Sequence, residues 1–269
     1  MPFAESFAEL QQARIHYDLS ELAGAADKPV LVFSNSLGAN LSMWQPQLAA
    51  LTPHFRILRY DTRGHGQSSV PTGPYTVTDL GQDVLGLLDS LSIDKVSFCG
   101  LSMGGIIGQW LAVHAAKRLQ KLILANTAAK IGTAETWNMR IPIALQQGLS
   151  PIIPGTLERW FTPTFHARHP ATIASTAAML HGTSPQGYAH CCAAIRDADF
   201  RVSIQLMQMI QTPTLVITGA HDPVTTLADG HFLADNIPGS TYAELPAAHL
   251  SNIEAAAEFN QALHAFLIQ

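Results

Sequence analysis

The sequence predicts an α/β fold: a mainly parallel sheet flanked by helices, with a helical cap inserted into it. Three observations lead there. Four short apolar runs, at residues 30–33, 96–99, 122–125 and 214–218, have the make-up of strands covered on both faces. Helical patterns alternate with them, as the crossovers of a parallel sheet require. Between Asn126 and about Asp199 the alternation stops, and prolines punctuate helical pieces instead. The chain therefore divides into a core of residues 1–126 and 200–269 and a cap of residues 127–199.

A chain of 269 residues can bury one large core, or a core plus a modest insertion. With 47% hydrophobic and 13% charged residues it is a compact globular protein, not a disordered one. Its net charge of −5 offers no basic field to hold nucleic acid or an anionic membrane. No apolar run is long enough to span a bilayer, and Met1-Pro2-Phe3-Ala4-Glu5-Ser6 lacks the basic and apolar regions of an export leader. A cytoplasmic location is the expectation. Cys99 falls in a strand and the adjacent Cys191 and Cys192 are badly placed to bridge, so free thiols are expected.

Taken in order, residues 13–19 alternate weakly and suit an edge strand or hairpin arm, followed by a turn at 24–29. The strand at 30–33 ends in Ser34-Asn35-Ser36-Leu37-Gly38, and the strand at 55–60 in Asp61-Thr62-Arg63-Gly64-His65-Gly66. In the second loop Asp61 and Arg63 can form a charge-assisted pair, and His65 is assigned a structural duty. Residues 75–91 carry Val77, Leu80, Val84, Leu87, Leu88 and Leu91 on one helical face. In the cap, helical pieces are broken by Pro142, Pro151, Pro154, Pro163, Pro170 and Pro185. The cap histidines His166, His169, His181 and His190 have spacings that fit no zinc pattern. Beyond it come a helix at 202–211, the strand at 214–218, a last strand at 242–245, and a terminal helix for which Ser251 and Glu254 form a capping box.

The stretch that organises the core is Cys99-Gly100-Leu101-Ser102-Met103-Gly104-Gly105, lying between an apolar strand and an apolar helix. A serine in so tight a strand-to-helix turn has its hydroxyl pushed out at the end of the sheet, and a side chain at 100 or 104 would collide with the neighbouring strand or helix. The helix N-terminus leaves amides free beside it, suited to developing negative charge. Two further residues fall just past predicted strands: Asp222 in Gly219-Ala220-His221-Asp222-Pro223, and His249 in Pro246-Ala247-Ala248-His249. Nucleophile, acid and base thus come in the order Ser102, Asp222, His249, each on a loop at the C-terminal end of a strand.

On these residues the chain resembles the α/β-hydrolase superfamily over nearly its whole length. Ser34-Asn35-Ser36-Leu37-Gly38, His221-Asp222-Pro223-Val224-Thr225 and Ala247-Ala248-His249-Leu250-Ser251-Asn252 are moreover similar to those of the 3-oxoadipate enol-lactonases, from the β-ketoadipate route of aromatic degradation. The resemblance implies a Ser-His-Asp triad of Ser102, His249 and Asp222, an oxyanion hole from the amides of Leu37 and Met103, an acyl-enzyme, and no metal or organic cofactor. The implied substrate is a small anionic lactone, for whose carboxylate Arg140, near Trp137 on the first cap helix, is the candidate partner. A solvated surface arginine would look the same in sequence. Other proteins of this scaffold fit the core residues equally: a general carboxylesterase, a cofactor-free perhydrolase, or a lactone receptor that signals through its cap.

Overall fold

A computed structural model of the chain describes residues 6–20, 28–202 and 204–268. Most of the turn expected at 24–29, and the first five residues of the opening segment, lie outside those described. Eight strands form one sheet in the order β1-β2-β4-β3-β5-β6-β7-β8. They are β1 (Ser6–Glu9), β2 (Arg14–Leu19), β3 (Val30–Ser34), β4 (Arg56–Tyr60), β5 (Val96–Leu101), β6 (Leu119–Ala125), β7 (Thr214–Gly219) and β8 (Thr241–Leu245). The β1–β2 and β2–β4 pairs are antiparallel, and every pair from β4 through β3 to β8 is parallel. Strands β3, β5 and β7 are buried at every position, which is why their sequences do not alternate. β1, short and at the edge, is the strand the apolar pattern did not disclose.

Helices α1 (Gln45–Leu51), α2 (Val77–Ser90) and α3 (Met103–His114) lie between strands of the first half. Between β6 and β7 run α4 (Ala134–Gln147), α5 (Ile153–Trp160), α6 (Pro163–Arg168), α7 (Pro170–His181), α8 (Pro185–Asp197) and α9 (Ile204–Gln208). α10 (Leu227–Asn236), α11 (Ser251–Glu254) and α12 (Ala256–Leu267) complete the chain. α3 lies against β3, β5 and β6 with α2 packed on it, while α1 meets α12 and α10 covers β7 and β8. Among the described residues no helix is long and apolar enough to cross a membrane. All three cysteines are buried and free.

Four local expectations need correction. The helix expected at 202–211 is shorter: a 3₁₀ turn at Phe200–Val202 precedes α9, and Ser203 between them lies outside the described residues. Pro142 does not break α4, which runs through it; Pro154, Pro163, Pro170 and Pro185 instead sit in the first turns of α5 to α8, where a missing N–H costs nothing. Asp61 and Arg63 do not pair. Arg63 forks both oxygens of Asp83 on α2, each at 2.6 Å, and Asp61 accepts from the backbone of Leu41 and Gln67 and bonds His16. Two residues apart on a loop, the side chains diverge and each finds a buried partner on another element.

The Ser251–Glu254 capping box is absent as well. Leu250 occupies the cap position without a side-chain bond, because both polar groups are engaged elsewhere. Ser251 donates to Asn126, and Glu254 accepts from the Ala248 backbone and from Thr162 at the start of α6. Helix α11 is thereby tied to the loop before it and to α6.

Candidate active site

Ser102 stands between β5 and α3 with φ 58° and ψ −113°, a backbone region that few residues other than glycine occupy. The surroundings enforce it. A Cβ on Gly100 would meet the Gly104 carbonyl oxygen at 2.0 Å, and one on Gly104 would meet the Ser34 carbonyl oxygen at the end of β3 at 2.2 Å. Both obstacles are backbone atoms, which cannot rotate away. Gly104→Ala is therefore expected to cost on the order of 3 kcal/mol, measurable as a lower urea midpoint with unchanged slope.

The loop after β3 is held against this turn from three sides. Asn35 is wholly buried; its carbonyl accepts from Gly104 N at 3.0 Å, its amide donates to the Tyr60 carbonyl at 2.8 Å, and its side-chain oxygen accepts from Trp44 Nε1 at 2.9 Å. Gly38, at φ 85°, donates its N–H to His65 Nε2 at 2.9 Å. That bond requires a neutral ring, and burial supplies it by lowering the His65 pKa to about 4 against the opposing pull of the Arg63 carbonyl and Asp61. His65 therefore has the structural duty expected of it, on the loop that carries Leu37. Met103 is the first residue of α3, so its N–H is among those that no intrahelical carbonyl can accept.

Asp222 and His249 meet: His249 Nδ1 lies 2.8 Å from Asp222 Oδ2, and both side chains are essentially inaccessible. The same Oδ2 accepts from Asn126 Nδ2 at 3.0 Å and Thr225 Oγ1 at 2.7 Å, while Oδ1 accepts from the amides of Val224 and Thr225 at 2.8 and 3.1 Å. Burial pushes the Asp222 pKa upward, but the His249 charge and the bonds from His249, Asn126 and Thr225 outweigh it and hold the carboxyl at about 2. It is a carboxylate at neutral pH.

One pocket is lined by Ser102, His249 and Leu37 from the sheet side and by Trp137, Arg140 and Arg159 from the helices between β6 and β7. Trp137 is fixed by its indole N–H to the Ile131 carbonyl at 2.7 Å. Arg140 donates to the Tyr188 hydroxyl at 2.6 Å and to Thr156 Oγ1 at 2.8 Å. Burial, reinforced by the nearby Arg140 charge, lowers the Arg159 pKa from its ordinary value. Among the described residues neither guanidinium is in ion-pair contact with a carboxylate. A roomier groove between the β1–β2 turn and α2 contains none of these groups. Three of the cap histidines have separate partners: His166 bonds the Leu157 carbonyl, His169 stacks on Phe165 and His190 meets Tyr75 edge-on. Among the described residues no group of three or more His, Cys, Asp or Glu could hold a metal.

Arg140, Trp137 and the cap aromatics Trp160 and Tyr188 are recognisable in the sequence as candidates to cover the serine, whereas Arg159 and Thr156 are not. Arg159 carried one available signal, as the one cation of α5, set beside Trp160. The bonds of Asn126 and Thr225 to Asp222 are not foreseen in the sequence, where Asn126 marks only the end of the alternation and Thr225 only a place in the loop motif; of the two, Thr225, three residues past Asp222, has a spacing that could show it.

Residues 29–190 match the α/β-hydrolase fold family, and the chain belongs to it. Among curated relatives, it is 50% identical over 244 residues to 3-oxoadipate enol-lactonase 2 of Acinetobacter baylyi, covering 91% of this chain and 90% of that protein. Among solved structures, the enol-lactonase from Burkholderia xenovorans superposes with a TM-score of 0.95 at 44% identity, covering 98% of this chain and 100% of that one. A hydrolase from Pseudomonas aeruginosa follows with a TM-score of 0.93 at 47% identity, over 98% of each chain. The similarity to the 3-oxoadipate enol-lactonases drawn from the loop motifs is thus borne out across nearly the full chain.

Proposed function

We propose that this protein is a carboxylic ester hydrolase that opens the ring of 3-oxoadipate enol-lactone to give 3-oxoadipate, in the cytoplasmic degradation of aromatic compounds. Residues 127–199 serve as a cap over a core of residues 1–126 and 200–269. The observation that carries the reading is one pocket in which Ser102 and the Asp222-bonded His249 face Arg140 and Arg159, neither in ion-pair contact with a carboxylate among the described residues. The names of the Acinetobacter baylyi relatives support the choice of lactone.

Asp222 accepts a hydrogen bond from His249 Nδ1–H, which leaves Nε2 as the basic nitrogen of the ring. Nε2 takes the proton of Ser102 Oγ as that oxygen bonds to the lactone carbonyl carbon. The carbonyl oxygen becomes an oxyanion held by the amides of Leu37 and Met103, each donor being worth on the order of a hundredfold in rate. When the ring C–O bond breaks, the departing enolate oxygen takes the proton back from His249. The enol tautomerises to a ketone, so the ring does not close again. Water, deprotonated by His249, then attacks the ester to Ser102, and the acid product leaves with the serine proton restored. The carboxylate of the acyl chain lies against Arg140 and Arg159 throughout.

The test is loss of enol-lactone absorbance under multiple turnover, compared with a neutral nitrophenyl ester. Turnover of the lactone without any protein partner supports the enzyme over a receptor, and a higher kcat/KM for the neutral ester would overturn the assignment of substrate. Arg140→Ala is expected to raise KM for the anionic lactone by about tenfold or more, since a charge-assisted hydrogen bond contributes roughly 1.5–3 kcal/mol. KM for the neutral ester should change less than about twofold. Equal effects on both would remove Arg140 from the anion site.

A further inference from the structure

At the end of β6, consecutive residues touch all three loops of the proposed triad. Ala125 accepts the Ser102 amide at 3.0 Å, and Thr127 Oγ1 donates to the Ser102 carbonyl at 2.8 Å. Between them Asn126 is completely buried at φ 42°. Its side-chain nitrogen donates to Asp222 Oδ2 at 3.0 Å and to the Ala248 carbonyl, next to His249, at 3.2 Å. Its side-chain oxygen accepts from Ser251, two residues beyond His249. Its own backbone is fixed to β7 through a bond to the Ile217 carbonyl at 2.8 Å.

We propose that Asn126 is a positioning residue for the Asp222–His249 pair: its amide sets the rotation of the Asp222 carboxylate, and so the direction in which His249 is held toward Ser102. This rests on the Ser-His-Asp reading above. The main chains of the two loops are already joined by a bond from His221 N to the Ala247 carbonyl at 3.0 Å. What Asn126 adds is at the level of side chains. Asp222 Oδ2 accepts from His249, Asn126 and the Thr225 hydroxyl; the hydroxyl lies three residues along the same loop and moves with it, whereas Asn126 holds the oxygen in line with the imidazole from another strand. Ser251 in turn holds the Asn126 carbonyl oxygen, so that the NH₂ end faces Asp222 and not the reverse. Asparagine meets both demands of the position, since it tolerates a left-handed backbone and presents a donor and an acceptor on one short side chain. Glycine would meet the first demand only.

Asn126→Gly therefore deletes the amide without straining the backbone, and Ser251→Ala is a second variant that frees the Asn126 carbonyl while leaving β6 untouched. Two readouts apply: the rate at which a fluorophosphonate probe labels Ser102, and the downfield proton resonance of the His249 Nδ1–H. The expected result for Asn126→Gly is labelling slowed by about tenfold to a hundredfold, the loss typical of a misdirected catalytic group. Lactone KM should move less than about twofold, with the ring-proton resonance shifted or broadened. Ser251→Ala should change the same two readouts in the same direction by a smaller factor. A lower melting temperature with labelling rate and resonance both unchanged in either folded variant would make Asn126 a purely structural residue and overturn the proposal. Should the wild-type protein itself show no labelling at Ser102, the triad reading falls first, and the positioning role with it.

Discussion

Ser102→Ala is expected to lower kcat for the enol-lactone by about 10⁵-fold, with KM nearly unchanged, because it removes the atom that forms the acyl bond and nothing else in the site can replace it. The fold should not suffer. The Ser102 side chain caps no helix, and the strained backbone at φ 58° is imposed by Gly100, Gly104 and the surrounding carbonyls, all of which remain. Alanine has the same Cβ as serine, so it adds no clash. The thermal midpoint should therefore stay within about 2 °C of wild type, a shift that corresponds to less than roughly 1 kcal/mol at this chain length. The combination is diagnostic. Activity lost with stability kept places Ser102 in the chemistry, whereas loss of both would mean that the elbow had collapsed. Activity retained within tenfold would exclude Ser102 as nucleophile and leave the pocket a binding site.

What could be read from the chain, and what could not, divides along the range of the interactions. Strands β3, β5 and β7 and the last four residues of β6 announce themselves because burial on both faces favours runs of apolar residues, a property of each segment by itself. Gly100 is legible for a similar reason, since its obstacle lies within the tight strand-to-helix turn, whereas Gly104 is legible from the motif although what excludes its side chain is Ser34 on β3. Asn126 is the contrary case. Nothing local distinguishes it from a polar residue ending a strand, and its function comes from partners 96 and 125 positions away. The Arg63–Asp83 fork shows how local plausibility misleads: Asp61 is nearer in sequence and chemically suitable, but the loop turns Arg63 toward α2. Glu254 misled in the same way, because a capping box and a link to Thr162 and Ala248 demand the same residue type at the same position. Arg159 faces the pocket only because α5 is rotated that way over the sheet, a matter of packing that the helical pattern leaves open.

Asp222→Asn tests the other half of the proposed triad, and the hydrogen bonds around that carboxylate determine how it fails. Its two oxygens accept from five donors: Oδ1 from two backbone amides, and Oδ2 from His249, Asn126 and the Thr225 hydroxyl. An asparagine must turn its NH₂ toward one set. Backbone amides cannot reverse, whereas the Thr225 hydroxyl can rotate, the Asn126 side-chain amide can turn over and His249 can change tautomer, so the NH₂ takes the place of Oδ2. His249 Nδ1 must then accept, its proton moves to Nε2, and the ring no longer has a basic nitrogen for Ser102. The expected fall in kcat is about 10⁴-fold. Stability responds in a defined pH window. The folded pKa of Asp222, about 2, lies below its ordinary value of 3.8, so its ionised form stabilises the native state by about 2 kcal/mol at pH values above roughly 4. That contribution is lost as the pH falls toward 2. In urea titrations the wild type should therefore exceed Asp222→Asn in stability above pH 4, and the gap should narrow steadily as the pH is lowered to 2. A gap independent of pH over that interval would show that the carboxylate is not held ionised by His249 and its other donors, and the mechanism would lose the group that orients its base.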